Sequence, residues 1–216
     1  MKTDIILCGV GGQGILSIAT VIGEAATRAG LQLKQAEVHG MSQRGGDVQS
    51  NLRLSTTEIW SDLIPKGGAD LIISMEPMEA LRYVQYLAPG GAIVTSSTPL
   101  VNIPDYPDKD AVIAELEKYP HTVILDIEEA ARKAGNPRGA NMVLLGAASK
   151  YLDIIGKERL EAAIATVFAA KGEAVIDANI KAFRYDLESE SRVPEPGAYA
   201  GVSEQDALQN GGLCLS

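Results

Sequence analysis

The chain opens on a short apolar run, Ile5-Ile6-Leu7-Cys8, that stops at a cluster of glycines. A run of this length bounded by glycine predicts a buried strand over residues 3–9. Apolar Ile15, Ile18, Ala19, Ile22, Ala25 and Ala26 then recur every three or four residues, which predicts a helix over 13–29, with Gly30 as its C-cap. Two further strands follow, at 32–38 and 47–54; Val48, Leu52 and Leu54 share one face of the second, and 57–61 offers it a hairpin partner. Regular alternation then sets in. Strands at 70–74, 92–95 and 122–126 are separated by helices at 76–86 and 110–119, with Pro77 tolerated in a first turn, a Pro89-Gly90-Gly91 turn and a Pro- and Asp-rich loop at 98–110. Helices at 127–134, 140–154, 157–170 and near 173–184 complete the pattern. Strands alternating with helices predict an α/β fold, Rossmann-like, with a mostly parallel sheet covered on both faces. The consecutive strands at 32–54 are its one departure from βαβ order.

Beyond Leu187 the pattern ends. Residues 188–216 are polar, contain Pro194, Pro196 and several glycines, and keep no period. The sequence therefore reads as one domain over 1–187 and a tail over 188–216, either extended and disordered or an arm that orders on a partner through Tyr199, Val202, Leu208 and Leu213. A net charge of −9 repels phosphate backbones and disfavours nucleic acid as a partner. No apolar run approaches the roughly 18 residues that span a bilayer. The N-terminus lacks the pattern of a signal peptide, so a cytoplasmic location is expected. The two cysteines, Cys8 and Cys214, are too few for a four-thiolate iron–sulfur cluster and lack zinc or dithiol spacing; Cys8, in an apolar strand, is expected to be a small buried hydrophobe.

Gly9, Gly11 and Gly14 match G-x-G-x-x-G directly after a strand and at the start of a helix. Such glycines allow a tight turn and close backbone approach, and the helix N-terminus adds free N–H groups that favour an anion. The competing reading is that they pack helix against sheet. A dinucleotide site also asks for an acid about 20 residues further on, at the end of the second strand. Glu37 stands near that place, but His39-Gly40-Met41-Ser42-Gln43-Arg44-Gly45-Gly46 follows at once. The paired glycines can turn N–H groups toward an anion, Arg44 can pair with a carboxylate or phosphate, and Ser42 and Gln43 can orient a polar ligand; a solvated turn is the alternative. His39 has the pKa for acid–base work, or a structural place. Arg138 and Asn141, before an apolar helix, fit a loop and cap, or a meeting point for an anion or partner. Asp126, Glu128 and Glu129 fit a strand end and a helix start. Trp60 is expected to pack beside a strand. No paired carboxylates, nucleophile elbow or Cys–His pair stands out, so the chain supplies anion-friendly backbone without an evident engine for chemistry.

Three segments together, GVGGQGI (9–15), EVHGMSQRGGDVQSNLRL (37–54) and PRGANMVLLGA (137–147), resemble the gamma-type domain of the 2-oxoacid:ferredoxin oxidoreductases over most of residues 1–185. The Ser-Gln-Arg-Gly-Gly run after His-Gly is its specific part. The resemblance implies a complex that converts an aryl-2-oxoacid such as indolepyruvate, with coenzyme A and oxidised ferredoxin, to the arylacetyl-CoA, carbon dioxide and reduced ferredoxin. Thiamine diphosphate with its magnesium, and the iron–sulfur clusters, would reside in a large alpha subunit, with two copies of each chain; no cofactor would be held firmly here. Gly9, Gly11, Gly12, Gln13 and Gly14, and His39, Ser42, Gln43, Arg44, Gly45 and Gly46, would line the coenzyme A route or face the large subunit. Pyruvate, 2-oxoglutarate and branched-chain oxoacids are alternative substrates for such a domain, and a free-standing NAD(P)- or coenzyme A-binding protein is the alternative from another class.

Overall fold

A computed structural model describes residues 1–39 (the backbone alone at His39), 46–101 and 103–185. Met41, Ser42, Gln43, Arg44 and Gly45 of the second motif, and the tail at 188–216, lie outside the described residues. The first strand, β1 (Lys2–Val10), is central: Ile5, Ile6 and Cys8 are fully buried, as expected of a strand covered on both faces. It feeds α1 (Ile15–Arg28), which ends in the predicted glycine cap; Gly30 has φ +71°, its N–H donates to Thr27 O, and Leu31 N–H reaches back to Ala26 O at 3.0 Å.

Next come β2 (Gln32–His39) and β3 (Asp47–Ser55), then β4 (Ala69–Ser74), α2 (Pro77–Tyr83), β5 (Leu87–Ser96), α3 (Lys109–Leu116), β6 (Thr122–Leu125) and four helices, α4 (Ile127–Lys133), α5 (Ala140–Ala148), α6 (Lys157–Val167) and α7 (Glu173–Phe183). The sheet order is β2-β3-β1-β4-β5-β6. β1, β4, β5 and β6 run parallel, while β3 is antiparallel to both its neighbours. The α/β, mostly parallel, Rossmann-like expectation therefore holds, with one inserted strand.

The two faces carry unequal cover. Ile5, Leu7, Leu52, Leu54, Leu71, Ile73 and Val94 face a large core completed by α1, α4, α5, α6 and α7. Ile6, Cys8, Ile72 and Ile93 face a smaller one, closed by Ala80 and Tyr83 of α2 and Val112 and Leu116 of α3. On the thicker side α5 and α7 approach closely: a Cβ on Gly146 would stand 2.1 Å from the Phe183 carbonyl oxygen.

Several expectations are corrected. Residues 57–61 form no strand, because β3 already has β1 on one edge and β2 on the other. Pro89-Gly90-Gly91 lies inside β5, as an irregularity in its pairing with β4, instead of in a turn before it. The helix expected over 140–154 ends at Ala148 and passes into a 3-10 turn, Ser149–Tyr151. Trp60 is 85% exposed and packs in no core; it lies past the end of β3, beside an open cavity of about 390 Å³ lined by Lys2, Asp4 and Arg53.

Candidate functional site

The C-terminal ends of the parallel strands gather the sequence-predicted groups. Between β1 and β4 the chain reverses its direction of winding: α1 leaves β1 toward the large core, and α2 leaves β4 toward the small one. A crevice at such a switch point is where open α/β sheets bind ligands. Here it is crossed by Gln13. The Gln13 side chain accepts the Val10 N–H through Oε1 at 2.7 Å and donates through Nε2 to the Met75 carbonyl, at the end of β4, at 3.2 Å. Met75 N–H in turn donates to Cys8 O at 3.0 Å.

The glycines fit this arrangement one by one. A Cβ on Gly9, φ +154°, would stand 2.9 Å from Gln13 Oε1 and 2.7 Å from Ile15 Cδ1. Gly14, φ +89°, is the left-handed N-cap of α1, and its carbonyl accepts Asn141 Nδ2 at 3.2 Å; a Cβ there would stand 2.8 Å from that nitrogen. Gly12, φ +102°, has nothing among the described residues within 4 Å of a Cβ position. Gly11 N–H donates to Gly46 O at 2.9 Å, so the glycine turn and the end of the 39–46 segment meet. His39, at the other end of that segment, pairs with Val48 as the last residue of β2.

Glu37 stands apart from this group. It pairs with Ser50, and Ser50 pairs with Leu7, so β3 lies between the acid and β1. With strands about 4.8 Å apart, the acid is about 10 Å from β1, twice the distance of an acid on an adjacent strand. Its carboxylate accepts Gln35 Nε2 at 2.6 Å. The inserted β3 thus moves the acid away from the adjacent-strand place that a dinucleotide site asks for.

A buried polar cluster beside the turn is legible only in three dimensions. Glu76 caps α2, accepting Glu79 N–H at 2.8 Å, and it also takes the Tyr106 hydroxyl and, at 3.3 Å, the Leu100 N–H. That carboxylate pins the connection between β5 and α3, whose Leu100, Val101 and Ile103 are exposed at the same end as the glycine turn and exposed Leu16. Burial pushes the Glu79 carboxyl up, against the Arg82 guanidinium that donates to it at 3.0 and 3.3 Å. Tyr83 OH reaches Asp47 at 3.4 Å, and burial raises its phenol. Burial likewise drives the Cys8 thiol far up, with its Sγ on Glu79 O at 3.6 Å, so it is a neutral packing group as expected. Among the described residues no three His, Cys, Asp or Glu side chains are grouped to hold a metal ion.

A family model described as pyruvate ferredoxin/flavodoxin oxidoreductase matches residues 4–188. The chain belongs to this family. Within the pyruvate ferredoxin/flavodoxin oxidoreductases it is 36% identical to the indolepyruvate oxidoreductase subunit IorB of Archaeoglobus fulgidus, over 85% of this chain and 93% of the relative. It is 28% identical to the 2-oxoglutarate synthase subunit KorC of Methanocaldococcus jannaschii, over 76% and 82%. The gamma subunit of a keto/oxoacid ferredoxin oxidoreductase from Geobacter sulfurreducens superposes with a TM-score of 0.62 at 27% identity, over 85% of this chain and 95% of that one. A 2-oxoglutarate:ferredoxin oxidoreductase from Magnetococcus marinus, solved with 2-oxoglutarate, coenzyme A and succinyl-CoA, superposes at 0.65 with 25% identity; this chain covers only 30% of that longer one.

Of the motif residues in this family member, Gly9, Gly11, Gly12, Gln13, Gly14 and Gly46 converge at one end of the sheet. Asn141, weighed as a loop cap, joins them across 127 residues of sequence. Arg138 lies in the loop before α5, and the structure gives it no bond to the turn. Asp126 caps α4 through Glu129 N–H at 2.8 Å, as read from sequence. Glu76 was missed; its only local signal was an acid directly before Pro77 at a strand-to-helix junction.

Proposed function

We propose that this chain is the small subunit of a thiamine-dependent indolepyruvate:ferredoxin oxidoreductase, which oxidatively decarboxylates an aryl-2-oxoacid to the arylacetyl-CoA with coenzyme A and ferredoxin. One observation carries the substrate class: identity to an indolepyruvate oxidoreductase subunit is 36% over 85% of this chain and 93% of the relative, against 28% for a 2-oxoglutarate synthase subunit. Thiamine diphosphate, magnesium and the iron–sulfur clusters belong to a large partner subunit, in an assembly with two copies of each chain, located in the cytoplasm. No helix among the described residues is long and apolar enough to cross a membrane.

The glycine turn and the 39–46 segment would face the partner and line the route of coenzyme A. Support comes from the Gly11–Gly46 bond, which joins the two motifs, and from exposed Leu16, Leu100, Val101 and Ile103 at the same end of the sheet. In this arrangement the free N–H groups at the start of α1 meet phosphate, Arg44 supplies a cation, and the apolar rim seats the large subunit. A free-standing dehydrogenase is disfavoured by the bridged crevice and the displaced Glu37.

The test is co-expression with the large chain, followed by assay of ferredoxin reduction. Indolepyruvate should be used in preference to pyruvate and 2-oxoglutarate, and only with both chains and coenzyme A present. Preference for 2-oxoglutarate would sink the substrate class, and activity of the small chain alone would sink the division of labour.

A further inference from the structure

The sheet ends on β2 at one side and on β6 at the other. An edge strand leaves a row of backbone N–H and C=O groups free, and folded chains blunt such edges with short strands, Pro, bulges or Lys. β6 is short, with four residues. β2 has eight residues, no Pro or Gly and an unbroken register against β3; Lys34 is its one guard of that kind. Among the described residues β2 pairs with no strand but β3. Lys34, Ala36 and Val38 pair with Arg53, Asn51 and Gln49, so they share the sheet face of Ile6 and Cys8. Among the described residues the smaller core on that face takes nothing from β2, and Val38 is 54% exposed. An open edge and an exposed apolar side chain thus lie together. In a chain of net charge −9, β2 holds one Lys and one Glu, so it meets its own kind without net repulsion.

We infer that β2 is the docking edge for a second copy of this chain, joined antiparallel across a two-fold axis normal to the sheet at Ala36. Side chains directly opposite in an antiparallel pair lie on one face. Two identical strands related by such an axis therefore place a residue on the axis, never the gap between two residues. Lys34 there would set Lys against Lys, and Glu37 would set Glu against Glu, both unfavourable. Gln35 there would set Leu33 against Glu37 of the second copy. Ala36 on the axis sets the smallest side chain of the strand against itself. It lays the aliphatic stem of Lys34 along Val38 of the second copy, with the ammonium left in water. It also sets Gln35 against Glu37 of the second copy, and the Gln35 amide already donates to Glu37 of its own strand at 2.6 Å. The two six-stranded sheets become one. This pairing stands apart from the choice of 2-oxoacid and from the coenzyme A route.

Disulfide trapping on the full chain tests the register, in a Cys214→Ser background that leaves only buried Cys8. Directly opposite Cα atoms in an antiparallel pair are about 4.5–5.5 Å apart, within disulfide reach. Ala36→Cys should therefore link to itself on mild oxidation. Lys34→Cys and Val38→Cys should each stay unlinked alone, because four residues of strand, about 13 Å, separate each from its own copy; mixed, the two chains should link. Sedimentation equilibrium tests the strength. The wild-type chain should be a dimer. Val38→Lys changes an exposed side chain and sets Lys against Lys34 twice, so it should weaken the dimer about tenfold. Adding Lys34→Val restores the Lys–Val pairs in reverse and should recover most of that loss. A chain that sediments as a monomer leaves the edge to residues 188–216 or to the large subunit, and overturns the inference. So does a dimer in which Ala36→Cys fails to link, Lys34→Cys links to itself, or Val38→Lys changes nothing.

Discussion

Replacing Gly14 by alanine tests the turn as a physical object. Gly14 is left-handed, φ +89° and ψ 22°. An L-residue there costs about 1–2 kcal/mol of backbone strain. The new Cβ would stand 2.8 Å from Asn141 Nδ2, so the side chain must withdraw and its bond to Gly14 O is lost, at about 1 kcal/mol. The total is about 2–3 kcal/mol, or roughly 4–12 °C in melting temperature for a domain of this size. Asn141→Ala alone should cost about 2 kcal/mol, for that bond and the one its Oδ1 accepts from Met142 N–H. In the double variant the bond is lost once and nothing is left to collide with, so its cost should fall short of the sum by about 1 kcal/mol. Urea unfolding of the four chains in the cycle measures this directly. Additivity within about 0.3 kcal/mol, the behaviour of independent sites, would refute the claim that Gly14 is glycine because Asn141 approaches it.

Three further outcomes follow from the buried polar groups. Asp4 is fully buried and accepts Arg53 Nε at 2.8 Å and Nη2 at 2.9 Å, while Arg53 also donates to Ser61 O and Leu63 O; Asp4→Ala should cost about 3 kcal/mol in urea unfolding, and a loss below about 1 kcal/mol would count against a stabilising pair. The folded Glu79 carboxyl is raised above its ordinary value of 4.5 by burial, so it binds its proton more tightly than the unfolded chain does. Its contribution to stability is complete below pH 4.5 and lost as pH rises through the folded value; Glu79→Gln should remove that part of the fall, and an unchanged slope would exclude Glu79 as its source. In a Cys214→Ser chain, Cys8 should react with Ellman's reagent only through unfolding, at least about a thousandfold more slowly than in urea; a fast native reaction would contradict its burial.

Local pattern carried most of the elements. The apolar run of β1, the spacing of α1 and the cap at Gly30 are statements about neighbouring residues, and each held. Strand order is another kind of fact. The segments at 32–38 and 47–54 read as an antiparallel pair, and nothing local says that β3, instead of β2, is the strand that lies against β1. Its polar Ser50 and Asn51 are buried among neighbours that sequence cannot see. Residues 57–61 have strand-like composition, but β3, the strand before them, is paired on both sides. In the site, the glycines and the meeting of the two motifs were legible, whereas the reach of Asn141 to Gly14 and of Tyr106 to Glu76 depends on how α5 and the β5–α3 connection pack.

Trp60 gives the molecule a built-in optical gauge. It is the sole tryptophan, 85% exposed, and it follows Ser55, which pairs with Lys2 at the start of β1, so it sits at the end of the sheet opposite the glycine turn. Its emission therefore reports on water at one pole of the domain. A large subunit that docks only on the glycine-turn pole leaves the emission maximum and its quenching by acrylamide as they are in the free chain, whereas one that wraps the domain shifts the emission to shorter wavelength and shields the ring. One fluorescence titration thus reads the direction of approach of the partner.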